Sequence, residues 1–152
     1  MKLKTKGVLY ETDFALWIEE TLALLNARNF AQLDLEHLME EIEALGISQR
    51  KAVASFLVRL FEHLLKRCYV NLPDCYRGWE IEIRNFRREL KRELKYSPSL
   101  QRFMLDIWPE SYQEALGAMQ EDYPETAFPQ ACPWPLDSEV LLNQAFWQDI
   151  EA

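Results

Sequence analysis

Apolar residues recur at the spacing of an α-helix along most of this chain, and that periodicity constrains the fold more than any other feature. Between residues 48 and 70 they form a wide stripe: Val53, Phe56, Leu57, Leu60, Phe61, Leu64 and Cys68. Positions three and four apart share one helix face, so this stripe predicts a central helix. Strand-like alternation is missing from the sequence. We therefore expect an all-α bundle of about five or six helices.

Short polar residues and glycine indicate where the first helices begin and end. Thr12 or Asp13 is the expected cap of a first amphipathic helix. Asp34 is expected to cap a second helix, which should end at Gly46 in a left-handed cap. Ser48 is then a candidate N-cap for the central helix.

Prolines shape the second half of the chain. A helix facing inward through Trp79, Ile83, Phe86, Leu90 and Leu94 should precede them. Ser97 can cap the next helix while Pro98 takes its first position. Pro109 should kink that helix or split it into two, Pro98–Trp108 and Pro109–Glu121.

The length of 152 residues and a hydrophobic content of 49% suit one domain over residues 1–152. The core bundle is expected at about residues 10–123, and a Pro-rich tail with a short helix at about 124–152. The tail should pack on the bundle through three apolar residues: Phe128, Trp134 and Leu136.

Several classes of protein are disfavoured. No stretch approaches about 18 apolar residues, so no membrane span is expected. The basic start of the chain meets acidic residues too soon for a signal peptide, so we expect a cytoplasmic protein. Cys68, Cys75 and Cys132 form no Cys-x-x-Cys motif and are expected to be reduced thiols. We expect neither a metal nor a cofactor.

Charge is unevenly distributed in a chain of net charge −8. Residues 1–47 carry −5, residues 48–96 carry +6 and residues 97–152 carry −9. We expect the basic middle and the acidic flanks to pair within the bundle. The acidic last third, without Lys or Arg after Arg102, is the expected surface for a basic partner. Nucleic-acid binding is disfavoured by the total charge.

Residues 34–46 contain one of two histidines and four glutamates. At helical spacing, one apolar face is formed by Leu35, Leu38, Met39, Ile42 and Leu45. Glu41 and Glu43 flank that face. His37 and Glu41 can supply two metal ligands, but a metal site needs three or four. We interpret the segment as a solvated helix face with two rim glutamates.

Other polar residues could meet this rim. His63 is expected to hydrogen-bond to Glu41 or Glu43, and Arg84 or Arg87 to pair with the same carboxylates. The alternative is a functional cluster between helices that binds a small molecule or catalyses a reaction. Its candidate members are Glu41, Glu43, His63, Lys66, Arg84 and Arg88. Because no nucleophile is tied to His63 by sequence, we assign no catalytic residue.

An ordered set of segments carries a family resemblance. These are YETDFALWIEE, LDLEHLMEEIEALG, HLLK, IRNFRREL, SPSL and FPQACPW. Together they resemble the bacterial, largely cyanobacterial, family called domain of unknown function twenty-nine. The resemblance implies an all-α fold and a bacterial cytosolic setting, and it implies no activity, ligand or catalytic residue.

Three hypotheses of function follow. The first is a non-enzymatic, regulatory or antitoxin-like module that binds a protein partner or self-associates. The second is an enzyme or a small-molecule or metal binder that uses the polar cluster. The third is nucleic-acid binding through the Arg-rich helix at residues 84–95.

Overall fold

The computed structural model describes the backbone of residues 9–151 and the side chains of residues 9–148. Within that range the chain is helical without any strand, so the predicted all-α class is confirmed. The chain divides into two compact units, Met1–Ser48 and Gln49–Ala152. The expectation of one domain stays a prediction.

The helices follow one another along the chain with short connections. Residues 9–12 are helical and precede the first long element. The elements are α1 (Phe14–Asn26), a 3₁₀ turn (Phe30–Gln32), α2 (Leu35–Tyr69), α3 (Pro73–Tyr96), α4 (Leu100–Asp122), α5 (Ser138–Asn143) and α6 (Phe146–Glu151). Asp13 caps α1, because its carboxylate accepts a hydrogen bond of 3.1 Å from the Leu16 backbone N–H.

Helix α2 corrects the predicted boundary at Gly46. Gly46 and Ser48 both lie inside this single helix of 35 residues. No glycine between residues 9 and 151 has a positive φ, so the left-handed cap is wrong. A glycine inside a helix costs only about 1 kcal/mol. Because no proline follows Gly46, the good helix formers on both sides outweigh that cost.

Helix α4 corrects the predictions at the prolines. It runs without a break through Pro109, so the predicted split is wrong. Trp108 and Tyr112 are buried on either side of Pro109, and their packing supports the helix where a backbone hydrogen bond is lost. The helix begins at Leu100, and Ser97 is the C-cap of α3 rather than an N-cap.

An aromatic cluster forms the centre of the second unit. Phe61 on α2 is fully buried. It lies edge-on to Trp108 and Tyr112 at ring-centroid distances of 5.5 and 5.6 Å, and stacks on Trp134 at 5.9 Å. The Tyr112 hydroxyl donates a hydrogen bond of 2.6 Å to the carbonyl of Pro129. These contacts hold the Pro-rich tail against α2 and α4.

The predicted tail anchors are confirmed in two cases out of three. Phe128 and Trp134 are buried in the core. Leu136 is 62% exposed, so its predicted role is wrong. The tail turns at Asp137, whose carboxylate caps α5, and this turn leaves the preceding leucine outside the core.

Helix α1 ends with an unusual residue in a common motif. The Asn29 N–H bonds to the Leu24 carbonyl at 2.9 Å, and the Arg28 N–H to the Leu25 carbonyl at 3.1 Å. This is the pattern of a Schellman cap, whose left-handed position normally holds glycine. Arg28 occupies that position with φ of 55°. A side chain there costs roughly 1–2 kcal/mol.

We expect Arg28→Gly to stabilise the end of α1, because glycine adopts positive φ without the clash of a Cβ. Urea denaturation should show a gain of about 1 kcal/mol in the free energy of unfolding. Ala27→Gly is the matched control: Ala27 has φ of −81°, so glycine there should stabilise nothing. Equal effects of the two substitutions would contradict the strain at Arg28.

Candidate functional site

The first unit leaves most of its apolar residues in contact with solvent. Trp17 and Leu33 are its buried large side chains among residues 9–48. We define the exposed apolar stripes as two sets at helical spacing: Phe14, Ile18 and Leu22 on α1, and Leu35, Met39, Ile42 and Leu45 on α2. The sequence predicted both apolar faces, but it did not predict that they are uncovered.

Carboxylates surround the exposed apolar stripes. Residues 9–48 contain nine Asp and Glu against one basic residue, Arg28, which gives a net charge of −8 with histidine neutral. Glu40 and Glu43 are exposed on α2, and Glu19 and Glu20 on α1. Residues 9–48 of the first unit therefore combine an apolar surface with a negative field.

The histidine and the glutamate predicted as neighbours on this helix are connected through a third side chain. The ring of Tyr10 stacks on His37 at a centroid distance of 3.9 Å, and its hydroxyl donates a hydrogen bond to Glu41. That bond raises the pKa of Tyr10 to about 12, since it stabilises the neutral phenol beside a carboxylate. Within residues 9–148, no three His, Cys, Asp or Glu side chains are grouped to hold a metal ion.

His37 itself pairs with the residue that begins its helix. Its Nδ1 lies 2.7 Å from a carboxylate oxygen of Asp34. This hydrogen bond raises the pKa of His37 above its ordinary value of 6.5. Tyr10 and Asp34 thus hold the ring from two sides, and the cluster attaches residues 9–12 to the start of α2.

A cationic groove lies in the second unit. It has a volume of about 530 Å³ and runs along α3 where α5 and α6 pack against it. We define it by four basic residues, Arg84, Arg87, Arg88 and Lys91, and an apolar wall of Ile83, Leu142 and Trp147. Two members of the predicted polar cluster, Arg84 and Arg88, therefore lie together.

Arg87 forms the floor of the cationic groove and is only 8% exposed. Its Nε donates to the carbonyl of Leu141 at 2.9 Å, and its Nη2 to the carbonyl of Gln144 at 2.6 Å. The last carbonyls of a helix have no partner within the helix, and Arg87 satisfies them for α5. Burial lowers the pKa of Arg87 to about 10, so it remains protonated at neutral pH.

The other four residues of the predicted polar cluster do not line the groove. His63 packs on Phe86 at a ring distance of 5.1 Å, and its Nδ1 lies 2.8 Å from the Arg59 carbonyl. A carbonyl can only accept, so Nδ1 carries the proton. Lys66 lies over the ring of Trp79 at 5.5 Å. Glu41 and Glu43 belong to the first unit, and the expected contacts of these carboxylates with His63 and the arginines stay a prediction.

Residues that the sequence did not single out complete the groove. Glu80 lies in its lining and accepts a hydrogen bond of 2.7 Å from Arg67 Nε. Leu142, Asn143 and Trp147 come from the last two helices. The spacing of Arg84, Arg88 and Lys91 was a usable signal, since these residues share one side of a helix. The contribution of the tail had no such signal.

The two thiols that are at least partly buried, Cys68 and Cys132, are held in their neutral form. Burial raises the pKa of Cys68 to about 11, and burial also raises the pKa of Cys132. A thiol with a raised pKa is a poor nucleophile at neutral pH.

Each helix within residues 9–151 is too short or too polar to cross a bilayer.

These features define an all-α protein with an exposed apolar surface in one unit and a cationic groove in the other. The chain belongs to the family described as Domain of unknown function DUF29, whose model matches residues 9–147. The resemblance noted in the sequence is thereby confirmed. Neither the curated proteins nor the solved structures include a match to this chain.

We expect Arg87→Met to destabilise the second unit, because the Leu141 and Gln144 carbonyls would lose their donor. The free energy of unfolding in urea should fall by about 2–3 kcal/mol. The matched control is Arg88→Met, one position along α3 on an exposed side chain, which should change it by no more than about 0.5 kcal/mol. Equal losses in both variants would show that Arg87 is not the anchor of α5.

The two histidines should titrate on opposite sides of their ordinary value. The Asp34 partner raises the pKa of His37, whereas burial, as the largest effect, lowers the pKa of His63. His37 therefore adds stability below pH 6.5, which is lost as pH rises through its folded pKa. His63 costs stability as pH falls below 6.5.

A proton NMR titration of the two rings tests this order directly. Asp34→Asn should return the pKa of His37 toward 6.5 and leave that of His63 unchanged. A titration in which His63 has the higher pKa would contradict at least one of the two assignments.

Proposed function

We propose that this protein is a non-enzymatic interaction module that binds a protein partner through the exposed apolar stripes. The observation that carries the proposal is the exposure of seven large apolar side chains at helical spacing on two helices of one unit. Exposed apolar surface of this kind commonly marks an interaction site, because leaving it in water is unfavourable.

The charges around the stripes indicate which partner would fit. A second copy of the same surface would bring two units of net charge −5 together, and like charges oppose such an interface. A partner with apolar residues at helical spacing and flanking Lys or Arg would gain from both features. We therefore propose a basic amphipathic helix as the bound segment.

Other features are compatible with a basic partner. The acidic last third of the chain presents Asp106, Glu110, Glu114 and Glu121 as exposed carboxylates on α4. They would speed the encounter with a basic protein through long-range attraction. The bacterial and cytoplasmic setting implied by the family resemblance, and a small regulatory or antitoxin-like role within it, form part of this proposal.

Photo-crosslinking in the native host identifies the bound segment. A crosslinking amino acid replaces Met39, which is 67% exposed, and in a control chain it replaces Ala44 on the opposite side of α2. We expect a crosslinked product with a single partner protein from position 39 and no such product from position 44. The crosslinked segment should carry apolar residues at helical spacing and a positive net charge.

Calorimetry with a synthetic peptide of that segment then measures the role of the stripes. Ile42→Asp should weaken binding at least about tenfold, as expected for an apolar contact residue. Ala44→Asp adds the same charge outside the stripes and should change affinity by less than about threefold. Crosslinking to a second copy alone, or equal effects of the two substitutions, would refute the proposal.

A further inference from the structure

Arg87 is a buried cation whose charge is not balanced by a carboxylate among the described side chains. Its hydrogen bonds go to two backbone carbonyls, which are neutral. Buried charges in proteins are usually paired, because desolvation of an isolated ion is costly. The cationic groove opens directly beside this guanidinium. A negative group bound in the groove would supply the missing countercharge.

The other cations of the groove are also available to an anion. Arg84 and Arg88 are exposed, and neither pairs with a carboxylate among residues 9–148. Lys91 bonds to the side-chain oxygen of Asn143 at 2.6 Å, a neutral partner. Among the described side chains of the lining, Glu80 is the one carboxylate, and it already pairs with Arg67.

The tail supplies two large apolar side chains to the groove, beside the polar Asn143. Leu142 is buried and Trp147 is half-buried, and the guanidinium carbon of Arg87 lies 6.0 Å from the centre of the Trp147 ring. Arg guanidinium groups bind phosphate and carboxylate through two parallel N–H donors. An aromatic ring and a leucine offer contact area to a flat apolar group.

We propose that the cationic groove binds a small organic anion, in which a phosphate or carboxylate contacts Arg84 and Arg88 and a flat apolar group lies against Leu142 and Trp147. This site shares no residue with the proposed partner surface, since its named residues belong to the second unit and the exposed apolar stripes to the first. It retains two residues of the predicted polar cluster and adds the tail.

The dimensions and the net charge favour a compact ligand over a polyanion. Arg84 and Lys91 are seven residues apart on α3, which corresponds to about 10 Å. That length matches one anionic group and its attached ring. The whole chain has a net charge of −8, which opposes the binding of a long polyanion that extends past the groove, and this repulsion acts within the roughly 8–10 Å set by ionic screening.

Calorimetry on the full chain at low salt tests the proposal. The probes are inorganic phosphate, adenosine monophosphate and benzoate, with adenosine and benzamide as their uncharged counterparts. We expect adenosine monophosphate or benzoate to bind, the uncharged counterparts not to bind, and affinity to fall as salt is raised. The comparison of phosphate ester with carboxylate shows which oxoanion the groove prefers.

Matched variants locate the binding site. Arg84→Met with Arg88→Met should reduce the affinity at least about tenfold, and these exposed positions leave the core intact. Arg77→Met removes the same charge from the same helix outside the groove and should leave affinity unchanged. Arg88→Lys should give an intermediate loss, because lysine cannot donate two parallel hydrogen bonds.

Three results would overturn the proposal. One is the absence of binding by every anionic probe at low salt. Another is binding that survives the paired substitution of Arg84 and Arg88. The third is an oligonucleotide that binds at the same residues far more tightly than the mononucleotide, which would assign the groove to nucleic acid instead.

Discussion

The packing of Phe61 against Trp108, Tyr112 and Trp134 is the contact on which the second unit depends. Phe61 comes from the middle of α2, and Trp134 comes from the Pro-rich tail. Once Trp134 is stacked there, the chain is directed to Asp137, which caps α5. The carbonyls of α5 then lie within reach of Arg87. The cationic groove thus exists because an aromatic cluster fixes the tail.

Helical periodicity was sufficient to predict the fold class and much of the core. The stripe from Val53 to Cys68 is buried except for the half-buried Phe56, and Ile83 and Leu90 of the next helix are buried too. The boundaries were less predictable, because a single Gly46 or Pro109 weakens a helix without deciding whether it ends. At both positions the helix continues, and at Pro109 it does so between buried aromatic residues. Such packing depends on distant parts of the chain, and local sequence does not contain it.

In the candidate sites, too, features set by neighbouring residues were predictable, and contacts between residues far apart in the sequence were not. Arg84 and Arg88 could be selected from sequence because their spacing places them on one side of a helix. The role of Arg87 could not be predicted from sequence. Its partners are backbone carbonyls about 55 residues later, and a backbone carbonyl has no side-chain signature. Tyr10 likewise reaches Glu41 across 31 residues. The exposure of Met39 and Ile42 was also hidden, because periodicity predicts an apolar face but not what covers it.

The distribution of ion pairs explains why a groove of positive charge persists in an acidic protein. Residues 48–96 carry a net charge of +6, and pairing with the acidic flanks was expected to neutralise it. The ion pairs of this segment between described side chains are internal to it instead: Arg59 with Glu62, Arg67 with Glu80, and Arg92 with Glu89. Local pairs of this kind form at little entropic cost, since both partners are already fixed on neighbouring helical turns or packed helices. They use carboxylates of the segment itself, so Arg84, Arg87 and Arg88 are left with neutral partners or with solvent. Four cations, Arg84, Arg87, Arg88 and Lys91, therefore keep their positive charge together on α3, beside the apolar side chains that the tail provides.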